Sequence, residues 1–147
     1  MAMVKKRKKL SGKIYFTVNT RITNMVKIGK SIDSAEKRLE SANKTNAFMV
    51  GRWSVTHKVK TNNVDRTERL AHELFKSYHD KESVSTEMFF VPEGYSIKRM
   101  ADEVRSKDEE YKKVEALEKE KRRMLDEFNS KIDDLKSGIL NSIDSDN

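Results

Sequence analysis

The chain has 147 residues, 35% hydrophobic and 37% charged, with a net charge of +7 and no cysteine. These figures fit one domain with a small core and a very polar extension. They exclude disulfides and thiolate metal sites, so any metal would sit on oxygen or imidazole ligands.

The charge is uneven. Residues 1–95 carry a balance of +9 and residues 96–147 one of −2. A polyanionic partner is expected for the basic part, although solubility alone would also account for it. No apolar run reaches the length of a membrane span, and no apolar stretch follows the N-terminal charges. A cytoplasmic protein with no membrane partner is expected.

Residues 1–11 form a basic arm in which Lys5, Lys6, Arg7, Lys8 and Lys9 are consecutive. Like charges keep such a run extended. It reads either as a nucleic-acid arm acting by counterion release or as a solvated tail. Lys13 and Lys30 join it as candidate nucleic-acid contacts.

Gly12 to Val18 and Asn24 to Lys30 read as two strands of a hairpin. Ile14, Phe16 and Val18 alternate with Lys13, Tyr15 and Thr17, and Val26 and Ile28 alternate with Lys27 and Gly29. A period of two sends the apolar sets to one face and leaves Tyr15 and Lys27 together on the other. Residues 33–44 read as a short helix capped by Ser31 or Asp33, with Arg38 at the edge of its apolar stripe. A phenol, an ammonium and a guanidinium so gathered suit a phosphate, though Arg38 by itself also reads as an ordinary surface residue.

Phe48 to Val59 is the third strand. His57 falls in line with Trp53, Val55 and Val59, either as a core-edge histidine or as a general base. Thr61 to Asp80 is the clearest helix of the front half, with Asn62 or Asn63 as its cap. Glu68 and His72, four residues apart, share a helical edge. A carboxylate beside a histidine can bind or orient a divalent cation, and Mg²⁺ often takes only one or two carboxylates. The plain alternative is a polar helix flank. Ser85 to Gly94 is a short apolar strand closed by the only proline.

From Tyr95 onward a heptad frame runs from Ile97 to Ile139, and ten of its thirteen a and d positions are apolar. Lys107, Glu118 and Lys121 interrupt the seam. This predicts a helix of about 65 Å at roughly 1.5 Å per residue. A homodimer through this C-terminal helix is expected, against the alternative of a single helix half packed and half solvated. Residues 96–143 form this extension and 144–147 a frayed tail.

Five stretches, in order, resemble the GIY-YIG nuclease superfamily. They are Gly12-Lys13-Ile14-Tyr15, Val26-Lys27-Ile28-Gly29, Glu36-Lys37-Arg38-Leu39, Glu68 followed by His72, and Glu87-Met88-Phe89-Phe90. The second motif, with lysine where many members carry tyrosine, is similar to a phage and bacterial branch. The resemblance covers residues 12–95. It implies an α+β fold, a small central antiparallel β-sheet flanked by helices in the order β-β-α-β-α, here followed by the long helix. It also implies a metal-dependent DNA endonuclease that hydrolyses phosphodiester bonds with Mg²⁺ or Mn²⁺. Carried over, Tyr15 helps activate the attacking water, Arg38 stabilises the phosphorane-like transition state and Glu68 holds the cation. Lys27 adds positive charge. Tyrosine is a poor base at its ordinary pKa of roughly 10. The cation or nearby charges would lower it, or His57 or His72 would act with it. The alternative is a non-catalytic DNA-binding or protein-interaction module on the same fold.

Overall fold

The structure, a computed structural model, describes residues 10–32, 34–45, 51–83 and 85–145. It is α+β. A four-stranded antiparallel sheet has the order β3-β1-β2-β4, with β1 at Gly12–Asn19, β2 at Ile22–Ser31, β3 at Trp53–Thr61 and β4 at Met88–Phe90. Helix α1 (Ala35–Thr45) follows the hairpin. α2 (Val64–Leu74) and a 3₁₀ turn at Lys76–Tyr78 follow β3, and α3 (Ile97–Ser145) ends the chain. The chain divides into two compact units, one through Asp108 and one from Glu109 onward.

The hairpin register keeps the two apolar sets on one face, as the alternation implies. Phe16 pairs with Ile28, Tyr15 with Gly29 and Thr17 with Lys27. Directly opposed residues share a face, so Ile14, Phe16, Val26 and Ile28 form one apolar surface and Tyr15 and Lys27 lie on the other. Ala71 of α2, Phe75 just after it, and Met100, Ala101 and Val104 of α3 complete the core on the apolar side. Ile14, Phe16, Val26, Ile28, Met100 and Val104 are fully buried. Each such side chain stabilises the fold by about 1.5–3 kcal/mol relative to exposure. The first unit therefore takes in the first turns of α3, through Asp108, where the sequence pattern puts a boundary at residue 95.

Asp108 belongs to that unit for a second reason. Its Oδ1 accepts from Arg66 Nη2 at 2.9 Å and from Thr67 Oγ1 at 2.7 Å. All three side chains are buried. A buried carboxylate is tolerated only when paired and hydrogen-bonded, and here both conditions hold.

Two local features differ from the sequence expectation. Along β3 the register slips between Phe16 and Thr17, so that Phe16 faces His57 while Thr17 faces Val55. The extra residue, Thr56, is a bulge whose hydroxyl donates to the Phe16 carbonyl. A bulge breaks the period of two. Trp53 and Val55 thus fall on the Tyr15 face, and His57 and Val59 on the opposite one. The helix expected over 61–80 is α2 with a distinct 3₁₀ turn, because Phe75 leaves helical geometry at φ −108 and ψ 17. Its cap is Asn63, which accepts from the Arg66 N–H. At α1, Ser34 accepts from the Lys37 N–H. Asp33 lies outside the described residues, as do Phe48 at the expected start of β3 and the last two residues of the tail.

α1 packs against β3 on the Tyr15 face. Asn43 bonds both the N–H and the carbonyl of Trp53. Glu36 pairs with Lys58, the residue opposite Tyr15. That lysine is the main reason the Glu36 carboxyl is lowered from its ordinary value of 4.5 to about 2. The sheet therefore lies between α1 and the layer formed by α2 and the start of α3.

From Glu109 to Ser145 the second unit is helix α3, and its large apolar residues, half-buried Ile132 apart, are exposed. No helix among the described residues is long and apolar enough to cross a membrane.

Candidate functional site

Tyr15 is buried and stands opposite Gly29, at the centre of the hairpin. The glycine has a steric reason. A Cβ there would stand 2.8 Å from the Tyr15 hydroxyl and 3.0 Å from Glu87 Oε2. The missing side chain leaves room for the phenol to reach across β2 to the far edge of that strand. Glu87 waits at that edge because its carbonyl accepts the Ile28 N–H, just before β4 begins. Lys27 Nζ lies 3.6 Å from the same Glu87 oxygen. Tyr15, Glu87 and Lys27 thus form one cluster.

Glu68 comes to this edge from α2, beneath the opposite face. Oε1 lies 3.8 Å from Lys30 Nζ. Oε2 is buried with no hydrogen-bond partner. Burial raises the Glu68 carboxyl above its ordinary value. The charges of His72 and Lys30 oppose that rise, the Glu87 carboxylate adds to it, and the Lys30 backbone N–H opposes it. Glu68 and Glu87 are close enough to repel, and the buried, unpartnered Glu68 Oε2 is a place for positive charge.

His72 is fixed by the sheet. Its Nε2 lies 2.9 Å from the Ile28 carbonyl oxygen, and its ring packs on Phe89 at 5.1 Å. A carbonyl only accepts, so Nε2 carries the proton and Nδ1 is left as the basic nitrogen. Lys30 pairs with Asp65 at 2.5 Å on the α2 side of the sheet. It therefore braces Glu68 rather than lying beside Tyr15.

His57 stands apart from this group. It faces Phe16, on the sheet face away from Tyr15, with Nδ1 buried and unbonded. Arg38 falls on α1, the helix on the Tyr15 face, and its side chain lies outside those described. Lys5, Lys6, Arg7, Lys8 and Lys9 lie outside the described residues.

The Tyr15 face carries a basic strip that the sequence reading only partly found. Lys13 is directly opposite Lys60, Lys58 is opposite Tyr15, and Lys27 follows two residues before Gly29. Like charges directly opposed across strands are destabilising, and a polyanion laid over them relieves the repulsion. Lys58 and Lys60 lie beyond the bulge, where alternation with His57 and Val59 already sets them on this face. A cleft of about 760 Å³ between α1 and Trp53 and Val55 opens elsewhere, at β3, and none of the clustered residues lines it.

Glu68 fits a hard divalent cation. It offers a buried oxygen that has no other partner and sits next to a second carboxylate. Among the described residues no group of three or more histidine, cysteine, aspartate or glutamate side chains is arranged to hold a metal ion. Any site here would be of the sparse kind, with water and phosphate oxygens needed to complete the shell.

A family model described as the T5orf172 domain matches residues 12–107. It represents a phage-associated domain related to GIY-YIG- and HNH-like nucleases. The match ends within one residue of the first compact unit's end. No curated protein and no solved structure matches the chain.

Proposed function

Since the chain belongs to the T5orf172 domain family, we propose that it is a divalent-cation-dependent DNA endonuclease that hydrolyses phosphodiester bonds in the manner of GIY-YIG enzymes. One observation carries the reading. Glu68 Oε2 is buried without a partner, and Glu87, which gathers with Tyr15 and Lys27, is close enough to act on its charge.

In this reading a water oxygen attacks phosphorus and the bond from phosphorus to one sugar oxygen breaks. The water proton passes to the Tyr15 oxygen as the phenol gives its own proton to Glu87. That relay removes the need for a free phenolate at neutral pH. Lys27 holds Glu87 in place and adds positive charge for the phosphoryl oxygens. Arg38, on the helix covering this face, supplies charge to the pentavalent phosphorus by the GIY-YIG resemblance. His72 fixes the edge of β2 through Ile28 and sets the charge around Glu68. Mg²⁺ or Mn²⁺ on Glu68 supplies a Lewis acid for the leaving oxygen. Lys13, Lys58 and Lys60 carry the DNA backbone across the face.

The test is plasmid cleavage with Mg²⁺, Mn²⁺ or chelator. Wild type is expected to nick or cut only with the metal. Glu68→Ala is expected to be inactive, and Tyr15→Phe to lose on the order of 10²-fold or more. Cleavage surviving in Glu68→Ala would overturn the site. A salt-dependent DNA shift without cutting in any metal would leave a DNA-binding module and remove the catalytic reading.

A further inference from the structure

Beyond Asp108, α3 turns large apolar side chains to solvent. Val114 is 48% exposed, Leu125 53% and Phe128 60%. With Tyr111 they occupy a and d positions of one heptad frame, and the two positions between Val114 and Leu125 are Glu118 and Lys121. A stripe with this period is the surface that another helix covers.

The charged interruption selects the orientation. In a parallel pair each a or d residue meets its own copy, so Glu118 would face Glu118 and Lys121 would face Lys121. The flanks would add Glu110 against Glu115 and Lys131 against Lys136. In an antiparallel pair, a faces d. A crossing centred between Lys119 and Glu120 sets Glu118 against the partner's Lys121, twice by symmetry. The same register sets Tyr111 against the partner's Phe128 and Val114 against the partner's Leu125. On one flank Glu115 meets the partner's Arg122. On the other, Leu117 and Met124, which the a/d seam leaves 71% and 58% exposed, meet each other.

We propose that residues 111–128 of α3 bind the same segment of a second copy of this chain, antiparallel and in this register. The Glu118–Lys121 layers specify orientation, the recognised use of polar groups in such seams. A crossing centred on Ser130 would pair Leu125 with Leu135 and Phe128 with Ile132. It would also oppose Lys131 to itself, Arg122 to Lys136 and Lys121 to Ile139, so charge disfavours it. Pairing stops at Phe128 because the position opposing Leu135 is Val104, which is already buried in the first unit.

The chain has no cysteine, so introduced cysteines report a single contact. Full-length Val114→Cys and Leu125→Cys, mixed and oxidised, are expected to form a mixed disulfide dimer. Neither is expected to cross-link to itself, since equal positions are about 16 Å apart at 1.5 Å per residue. Self-cross-linking of Leu125→Cys would overturn the antiparallel pair, and cross-linking of Leu125→Cys with Leu135→Cys would overturn the register. Lys121→Glu is expected to weaken association about tenfold or more, and Glu118→Lys/Lys121→Glu to restore it. A monomeric mass for wild type by light scattering at tens of micromolar, or no difference between single and double charge variants, would overturn the proposal.

Discussion

The two compact units each contain an arginine paired with carboxylate, and the settings differ. Arg66 and Asp108 are 5% and 2% exposed, with a bond of 2.9 Å. Arg123 and Glu120 are 56% and 54% exposed, with a bond of 2.5 Å, and Arg123 also reaches Glu127. Distance does not rank them. In the first unit the charges have left water, and each depends on its partner to remain there. In the second the charges stay hydrated, and solvent replaces a lost partner. The first unit is thus stabilised by burial, with its polar groups matched one by one. The second is a helix sustained by local pairs along its surface, with an apolar stripe left to be covered.

Removing chain at two places should break this comparison most visibly. A stop after Gly94 deletes Met100, Ala101 and Val104, which are at most 1% exposed. At about 2–5 kcal/mol for each large core side chain, against a total of about 5–15 kcal/mol, the first unit is expected to unfold. A stop after Lys113 removes none of that unit and is expected to leave a cooperative melt close to that of the full chain. Circular dichroism melting of both truncations is the measurement. A folded 1–94 fragment would show that α3 is dispensable to the core.

Asp108→Ala comes next. It leaves the Arg66 guanidinium buried beside an empty place, and a loss of about 3–5 kcal/mol in urea unfolding is expected. Replacing both partners by apolar residues, Arg66→Met with Asp108→Leu, is expected to recover much of that loss. A recovery would assign the effect to desolvated charge rather than to shape.

These two residues also mark where sequence reading stops. The faces of the hairpin were legible because a period of two decides which face each residue takes. Glu68 and His72 were legible because four residues is one helical turn. The faces of Trp53 and Val55 were not, since one bulged residue at Thr56 puts them on the face opposite His57 without changing composition. Arg66 and Asp108 are 42 residues apart, and the periodicity of either helix gives no sign that they meet. The approach of Tyr15 to Glu87 depends on Gly29 being opposite the phenol, which needs both register and strand order. The heptad frame of α3 was visible, but periodicity cannot say that its first turns pack in a core and its later turns do not.

A smaller effect of opposite sign is expected at Glu68. Its folded carboxyl is raised above its ordinary value of 4.5, chiefly by burial. The folded state then binds the proton more tightly than the unfolded state, so stability falls as pH rises through the raised value. At neutral pH the ionised group costs stability, by less than about 1 kcal/mol where solvent screens part of the charge. Glu68→Gln is therefore expected to melt slightly higher than wild type in chelator, and below pH 4 the difference should vanish. Mg²⁺ or Mn²⁺ should raise the wild-type melting temperature and leave the variant unchanged. Equal metal shifts in both proteins would place the cation elsewhere.

The smallest effect should come from Arg123→Ala. The side chain lies in water, its three contacts with Glu120 and Glu127 are exposed, and its pKa is raised mainly by Glu120. Surface pairs at this spacing add little, and alanine is the better helix former. Helix content and the melting of the first unit are both expected to be unchanged within error. Arg123 lies at a heptad position away from the Glu118 and Lys121 layers, so the mass in solution should not change either. If Arg123→Ala instead lowered the melting of the first unit, the residues beyond Asp108 would share its cooperative unfolding, and the division between a buried unit and a self-sustained helix would fail.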